Sequence, residues 1–419
     1  MSAFTTSSEY RPVPVMGLLS QRPLISMYRR MGGMHSFCGG GPARSGGTAV
    51  HWEPASGGSE RRRHSDGHRD TVRIVRLSTD RRDGRTSKVA LVTVTYGDRA
   101  QLVSGTVRSG LQQGAAEAIV IANGASLASL AALERMRLDE GLPLRVLDLG
   151  INHGSAAGFA AGLEAARASD ADFAWILDDD NRPDAGCLSR ALETFRAGSE
   201  TEAALAVCCV READLAALEA GAPLEAIRPR DGHFCGVDAF ERLARRLRRS
   251  SPVAEGAVLE IEYNPYGGML VQVEDIDRTE PPDTRFVLYS DDFDWTRRLH
   301  RAGVRLVMDT GAVVRDAVDR WGDDDDGGGY FTRMIRSRDR ARAYFALRNS
   351  IHFSRACATS AGSRMRFLGN GVLVSLWLAA SSFRMGRAGF LRLYLRAWRD
   401  SRAPLGASPY GMPGGIAAG

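Results

Sequence analysis

Between Lys88 and Asp180, four short apolar runs (KVALVTVTY, AIVIANGAS, LRVLDLG and FAWILDDD) are separated by three helical stretches: Arg99–Gln113, LASLAALERMRLDEG and FAAGLEAARAS. The runs are rich in β-branched residues and lack polar alternation, which is the pattern of strands buried on both faces. A β-α-β-α-β-α-β order predicts parallel strands with crossover helices on both faces, an α/β fold. Ligands in such sheets gather at the carboxyl ends of the strands. The residues expected there are Thr95, Tyr96, Asn123, Gly124, Asn152 and the run Asp178, Asp179 and Asp180.

Three adjacent carboxylates at the end of an apolar strand repel one another and need a reason. Hard oxygen ligands suit Mg²⁺ or Mn²⁺ bridging a diphosphate. Side chains alternate along a strand, so Asp178 and Asp180 are expected on one side, as the metal pair, and Asp179 on the other. The competing reading is a solvated turn. Two other nucleotide folds fail on sequence. A dinucleotide site needs G-x-G-x-x-G after its first strand, where TYGDRAQL stands, and a P-loop needs a lysine, of which Lys88 is the only one.

Composition bounds the rest. The chain has 419 residues, net charge +5 and 44% hydrophobic residues, enough for two or three domains. Residues 1–86 are rich in Gly, Ser, Arg and His and predict a poorly ordered extension with no secretory signal. Six scattered cysteines with no C-x-x-C predict neither a disulfide framework nor a zinc site, and fit a reducing, cytoplasmic setting. Residues 200–262 suggest a strand, a helix and a charged linker, with no chemistry assigned. Further on, GGMLVQV and RFVLYS are expected strands, and DDFDWTRRLHRAG an expected helix ending at Gly303. Its leading acids also read as caps and dipole partners.

Taken together and in order, VTVTYGDR, VIANGAS, NHGSAAGFAAGL, ILDDDNRPDAGCL, YGGMLV and LYSDDFDWTRRLHRAG resemble a family 2 glycosyltransferase of GT-A fold, in the branch of bacterial rhamnosyl- and galactofuranosyltransferases. The resemblance runs from about residue 88 to 316, with a weaker echo in AYFALRNSIHF. It implies a Rossmann-like mixed sheet and a C-terminal helical region. It also implies an inverting, metal-dependent transfer from a nucleotide-sugar donor to a glycan or lipid-linked acceptor in cell-envelope polysaccharide synthesis. Thr95, Tyr96, Asn123, Asn152, Gly154, Gly158 and Asp179 would then bind the nucleotide sugar. Asp178 and Asp180 would hold Mn²⁺ or Mg²⁺, and Asp292 would be the catalytic base, with Asp291 its rival. Trp295 reads either as an acceptor-stacking residue or as core.

The sequence departs from that pattern in two places. Ala122 stands where relatives carry a base-contacting Asp. Arg315 and Asp316 stand where many carry a His near the metal, so either Asp316 substitutes as a ligand or the metal is held more weakly. The Q-x-x-R-W motif of membrane-spanning synthases is absent.

The implied boundaries are 87–325 for the catalytic domain, 326–403 for the helical region and 404–419 for a flexible tail. Asp323–Asp326 reads as a mobile surface loop. The 17 uncharged residues between Arg366 and Arg384 fall short of a membrane span. Beyond them, Phe390, Tyr394 and Trp398 face away from Arg392, Arg396 and Arg399. That pattern fits peripheral membrane contact through residues 367–399, at the inner face of the membrane, and equally a helix packed on the domain or a subunit contact. No nucleic-acid partner is expected. Two other functions remain open: a sugar-nucleotide-forming nucleotidyltransferase, for which TYGDRAQL lacks the Gly-rich basic loop, and a non-catalytic scaffold, for which both acidic motifs would be superfluous.

Overall fold

Strand β1 (Val89–Gly97) forms the spine of the sheet because its nine residues are apolar or small and buried on both faces. The computed structural model describes residues 87–198, 204–245, 252–254, 256–318, 330–406 and 408–412. The expected extension 1–86 and the acidic run Asp323–Asp326 lie outside them. After β1 come α1 (Ala100–Gln112), β2 (Glu117–Ala125), α2 (Leu127–Leu138), β3 (Leu144–Asp148), α3 (Ser155–Arg167) and β4 (Phe173–Asp178), in the order expected from the sequence. β1 pairs in parallel with β2 and β4, and β2 in parallel with β3.

The next segment widens the sheet. It contains β5 (Asn181–Pro183), α4 (Cys187–Gly198), β6 (Leu205–Arg211), α5 (Glu212–Glu219), α6 (Leu224–Ile227), α7 (Ala239–Arg245), β7 (Val258–Ile261), β8 (Met269–Gln272), α8 (Asp291–Arg301) and β9 (Arg305–Asp316). The order across the sheet is β3-β2-β1-β4-β8-β6-β9-β5, with β7 also on β9. β8 runs antiparallel to both β4 and β6. The sheet is therefore mixed, as the family resemblance implies, and not purely parallel as the first strands suggest. β8 enters from a loop, so no crossover helix sets its direction.

Helices cover both faces. Val92 and Val94 face Phe159 and Leu163 of α3, in a core that includes Trp295 and Leu299 of α8. Leu91 faces Val103 and Val107 of α1, in a core with Leu133 of α2 and Phe195 of α4. Trp295 is fully buried, so it belongs to the core and does not stack on an acceptor.

One expected strand is absent. In RFVLYS, Thr284–Phe286 form a 3₁₀ turn, and Val287, Tyr289 and Ser290 have φ of 63°, 70° and 63°. A strand needs a partner strand for its carbonyls. Here a side chain takes them: Asn349 Nδ2 lies 2.8, 2.7 and 3.1 Å from the carbonyl oxygens of Phe286, Leu288 and Tyr289.

The C-terminal region is helical, with α9 (Tyr330–Arg336), α10 (Arg340–Cys357), α11 (Ala361–Arg384) and α12 (Gly389–Asp400). Its core joins Phe331, Tyr344, Phe345, Leu378, Phe390 and Tyr394 to Phe234. The aromatic face of α12 is thus turned inward: Phe390 and Tyr394 are buried, and Trp398 stacks on Phe234 with centroids 4.6 Å apart. Burial removes these aromatics as membrane anchors and supports the packed-helix reading of α12. At the start of the expected flexible tail, Leu405 is buried with Ala156 and Phe286, and Arg348 donates to the Gly406 carbonyl. No helix among the described residues is long and apolar enough to cross a membrane.

Candidate active site

β4 ends at Asp178, and Asp179 and Asp180 form the turn that follows, so strand alternation stops one residue into the acidic run. The expected split of the three side chains does not hold, because Asp179 and Asp180 share one cation. Arg99, just after β1, donates to Asp179 through Nε at 2.8 Å and Nη2 at 2.7 Å, and its Nη2 lies 3.2 Å from Asp180 Oδ2. Thr95 Oγ1 donates to Asp179 at 2.8 Å. Asp179 and Arg99 are both buried, as a bidentate pair fixed between the ends of β1 and β4. The Arg99 guanidinium also lies over the ring of the buried Tyr96, 5.1 Å from its centroid.

Asp178 has a different partner. Arg211, at the end of β6 and fully buried, bridges Asp178 and Asp316. Asn181 ties the same corner, accepting from the Asp178 amide at 3.0 Å and donating to Asp316 at 3.2 Å. Gly267 closes it, since a Cβ there would stand 2.8 Å from Asp178 Oδ2 and 2.1 Å from Arg211 Nη2. The paired glycines of YGGMLV therefore let a backbone pass against this charged cluster.

The loop after β3 joins the second constellation. Asn123 donates to the Gly154 carbonyl at 2.9 Å and accepts from the His153 amide at 2.9 Å. Asn152 Oδ1 accepts from the Gly154 amide at 2.9 Å, and Gly158 lies against Val94 and Asn123. The structure thus assembles Asn123, Asn152, Gly154 and Gly158, with both asparagines committed to shaping the loop. Gly154 has φ of 89°, and a Cβ there would stand 2.2 Å from the Val287 carbonyl oxygen, so only glycine fits. Next to it, Ser155 Oγ donates to Asp291 Oδ1 at 3.1 Å. Asp291 and Asp292 open α8, both buried, whereas Asp294 pairs with Arg298 one turn along at 2.8 Å.

The Glycosyl transferase family 2 model matches residues 90–216, which hold β1 to β6 and the acidic turn. The chain carries a family 2 glycosyltransferase domain. It is 31% identical over 154 residues to the galactofuranosyltransferase GlfT1 of Mycolicibacterium smegmatis, a match spanning 36% of this chain and 46% of that relative. The chain therefore spans less than half the length of the curated relative it matches. Among solved structures it is similar to GalNAc-T7 with UDP, GalNAc and Mn²⁺, at 13% identity over 69% of this chain and 55% of that one, with a TM-score of 0.43. It is also similar to the mannosyltransferase PcManGT from Pyrobaculum calidifontis in complex with GDP-Man and Mn²⁺, at 16% identity, 75% and 88% coverage and a TM-score of 0.40. No residue assignment rests on these two likenesses.

Four acids, Asp178, Asp180, Asp291 and Asp292, hold their protons more tightly than an ordinary carboxylate. Burial is the largest cause for Asp180, pushed up to about 8 with Asp179 and Asp178 adding to it and Arg99 opposing. Burial likewise pushes Asp291 up to about 7, opposed by its own backbone amide and Ser155. Asp292 is raised by burial and then by Asp291, and Asp178 by burial against the pull of Arg211. The charge of Asp178 adds to the raised proton affinity of both Asp291 and Asp292, so the two acidic motifs lie within electrostatic reach of each other.

Among the described residues, no group of three or more His, Cys, Asp or Glu side chains is disposed to hold a metal. Asp180 Oδ1 is buried with no hydrogen-bond partner among the described residues, and the charge of Asp178 acts on it, so Asp180 and Asp178 are the hard oxygens that could hold a divalent cation, with one Asp178 oxygen engaged by Arg211. Sequence reasoning missed Arg99, Arg211 and Asn349. Arg99 follows the first strand at TYGDR and could have been suspected as a carboxylate partner. Arg211 lies in a stretch with no motif, and Asn349 in the weak echo AYFALRNSIHF.

Proposed function

We propose that this protein is an inverting glycosyltransferase that moves a sugar from a nucleoside-diphosphate donor to a hydroxyl of a glycan or lipid-linked acceptor. The observation that supports the proposal is that two acidic motifs, Asp178–Asp180 within the family 2 match and Asp291–Asp292 beyond it, lie within electrostatic reach of each other. Asp178 and Asp180 would hold Mn²⁺ or Mg²⁺, which when bound neutralises charge developing on the leaving diphosphate. Thr95 and Arg99 fix Asp179, and Asn123, Asn152, Gly154 and Gly158 shape the loop beside the nucleotide. A cell-envelope glycan is the acceptor class favoured by the family resemblance. A nucleotide-activated galactofuranose is the first donor to assay, because the matched relative is named for that sugar.

Asp292 takes the proton from the acceptor hydroxyl as it attacks the anomeric carbon. A carboxylate with raised proton affinity is a strong acceptor once ionised. Each carboxylate has one oxygen engaged, Asp291 by Ser155 and Asp292 by the Phe293 amide, and Asp291 is the weaker candidate because the family resemblance favours Asp292. The role of Asp291 is to dock the start of α8 onto the loop before α3. The hydroxyl replaces the diphosphate in a single displacement, which inverts the anomeric centre.

The test is a pair of variants assayed for donor binding and turnover. Asp292→Asn is expected to bind nucleotide sugar and lose about 10²–10⁴ in kcat. Asp291→Asn is expected to lose less. The reverse order, or lost donor affinity in Asp292→Asn, overturns the base assignment.

A further inference from the structure

Among the described residues, nothing covers an apolar stripe on the outer face of α11. Leu368, Val372, Leu376 and Phe383 are exposed, at 54%, 57%, 64% and 66%. At 100° per residue they fall within about 80° of helix arc, on the side away from buried Phe367, Val374 and Leu378. The stripe is about 22 Å long at 1.5 Å per residue. α7 extends it sideways, since Phe240 and Leu243 are exposed and the Phe240 ring lies 3.1 Å from where a Gly369 Cβ would stand. Exposed positions between Arg366 and Arg384 are all apolar, and exposed arginines close both ends: Arg364 and Arg366, then Arg384 and Arg387.

Charge selects the occupant. From Ala361 to Asp400 the chain has seven arginines and one acid, Asp400. Arg366 pairs with Asp238, and Arg396 and Arg399 pair with Asp400, which leaves Arg364, Arg384, Arg387 and Arg392 as the basic rim among the described residues. A second copy would bring the same four arginines against these. The chain's own residues 1–86 carry 14 arginines against seven acids, so they too are net positive. An anionic lipid surface is apolar beneath and negative at the headgroups, and it matches both the stripe and its rim. We infer that the outer face of α11, flanked by Phe240 and Leu243 of α7, lies in the surface of an anionic bilayer, with the helix parallel to the membrane and the terminal arginines at the headgroups. The inward-turned aromatics of α12 play no part in this contact. On α12, Arg392 is exposed, and Arg396 and Arg399 pair with Asp400.

The experiment is co-sedimentation of the full chain with phosphatidylcholine vesicles, with and without phosphatidylglycerol. Binding is expected with the anionic vesicles, at least about tenfold weaker with neutral ones, and lost near 1 M salt, where screening acts within about 3 Å. Leu376→Asp/Phe383→Asp is expected to reduce binding at least tenfold while thermal unfolding and donor binding stay as in the parent, because both side chains are exposed. Arg384→Glu/Arg387→Glu is expected to weaken binding to anionic vesicles alone. The inference is overturned by no sedimentation at low salt, by equal binding to both vesicles, or by unchanged binding of the Leu376→Asp/Phe383→Asp variant. A dimer that this variant dissociates, without vesicle binding by the parent, assigns the face to a second copy and also overturns it. None of these outcomes depends on sugar transfer.

Discussion

Asn349 on α10 donates its side-chain amide to the Leu288 carbonyl at 2.7 Å, across 61 residues of sequence. Leu288 lies between Val287, Tyr289 and Ser290, whose φ angles are positive, in the segment that leads directly into Asp291 and Asp292. Such conformations cost about 1–3 kcal/mol each and persist only where the surroundings hold them. Asn349→Leu should therefore lower stability by about 1–3 kcal/mol and relax the loop. Turnover should fall more than donor affinity. A matched loss in kcat and donor binding would show that the latch serves the fold alone.

Arg99 is the second test. Removing it leaves Asp179 buried without its ion pair, which typically costs about 3–5 kcal/mol. Arg99→Ala should lower the melting temperature and weaken donor binding. The double variant Arg99→Ala/Asp179→Asn should recover part of the stability, because no uncompensated charge remains. If the single and double variants melt alike, the pair is not what Arg99 contributes.

Asp180→Asn addresses the metal. Its Oδ1 is buried and has no hydrogen-bond partner among the described residues, so the variant should keep its fold and lose transfer in Mn²⁺ or Mg²⁺. Donor binding should become insensitive to EDTA. Full activity of the parent in EDTA, or of this variant, removes the metal role.

Asp291 sets a pH dependence. Its proton affinity is raised from the usual carboxylate value of 3.8 to about 7, chiefly by burial. The folded protein therefore holds this proton where the unfolded chain has released it. The contribution to stability is fully present below about 4 and is lost as pH rises through about 7, an effect on the order of a few kcal/mol. Asp291→Asn should flatten that fall in denaturant titrations between pH 5 and 8. An unchanged slope would assign the dependence to other groups.

The sequence by itself determined the strand and helix order from β1 to β4, because runs buried on both faces carry their own signal in consecutive apolar residues. It also singled out Asp178–Asp180, since carboxylates at the end of an apolar run stand out locally, whereas Asp291 and Asp292 came from the family resemblance, because acids that open a helix also read as caps. Tertiary structure decided everything that depends on a partner distant in sequence. RFVLYS has the composition of a strand, yet Asn349 takes its carbonyls and leaves a loop in which Val287, Tyr289 and Ser290 have positive φ. The aromatics of α12 look like membrane anchors, yet Phe234 and the neighbouring helices bury them. Asp179 and Asp180 do not split as strand alternation expects, because β4 ends at Asp178 and Arg99 draws both of them to one guanidinium. Periodicity records how a segment repeats along its own axis. Which cation, carbonyl or ring arrives from 80 or 100 residues away is fixed only when the sheet brings its strand ends together.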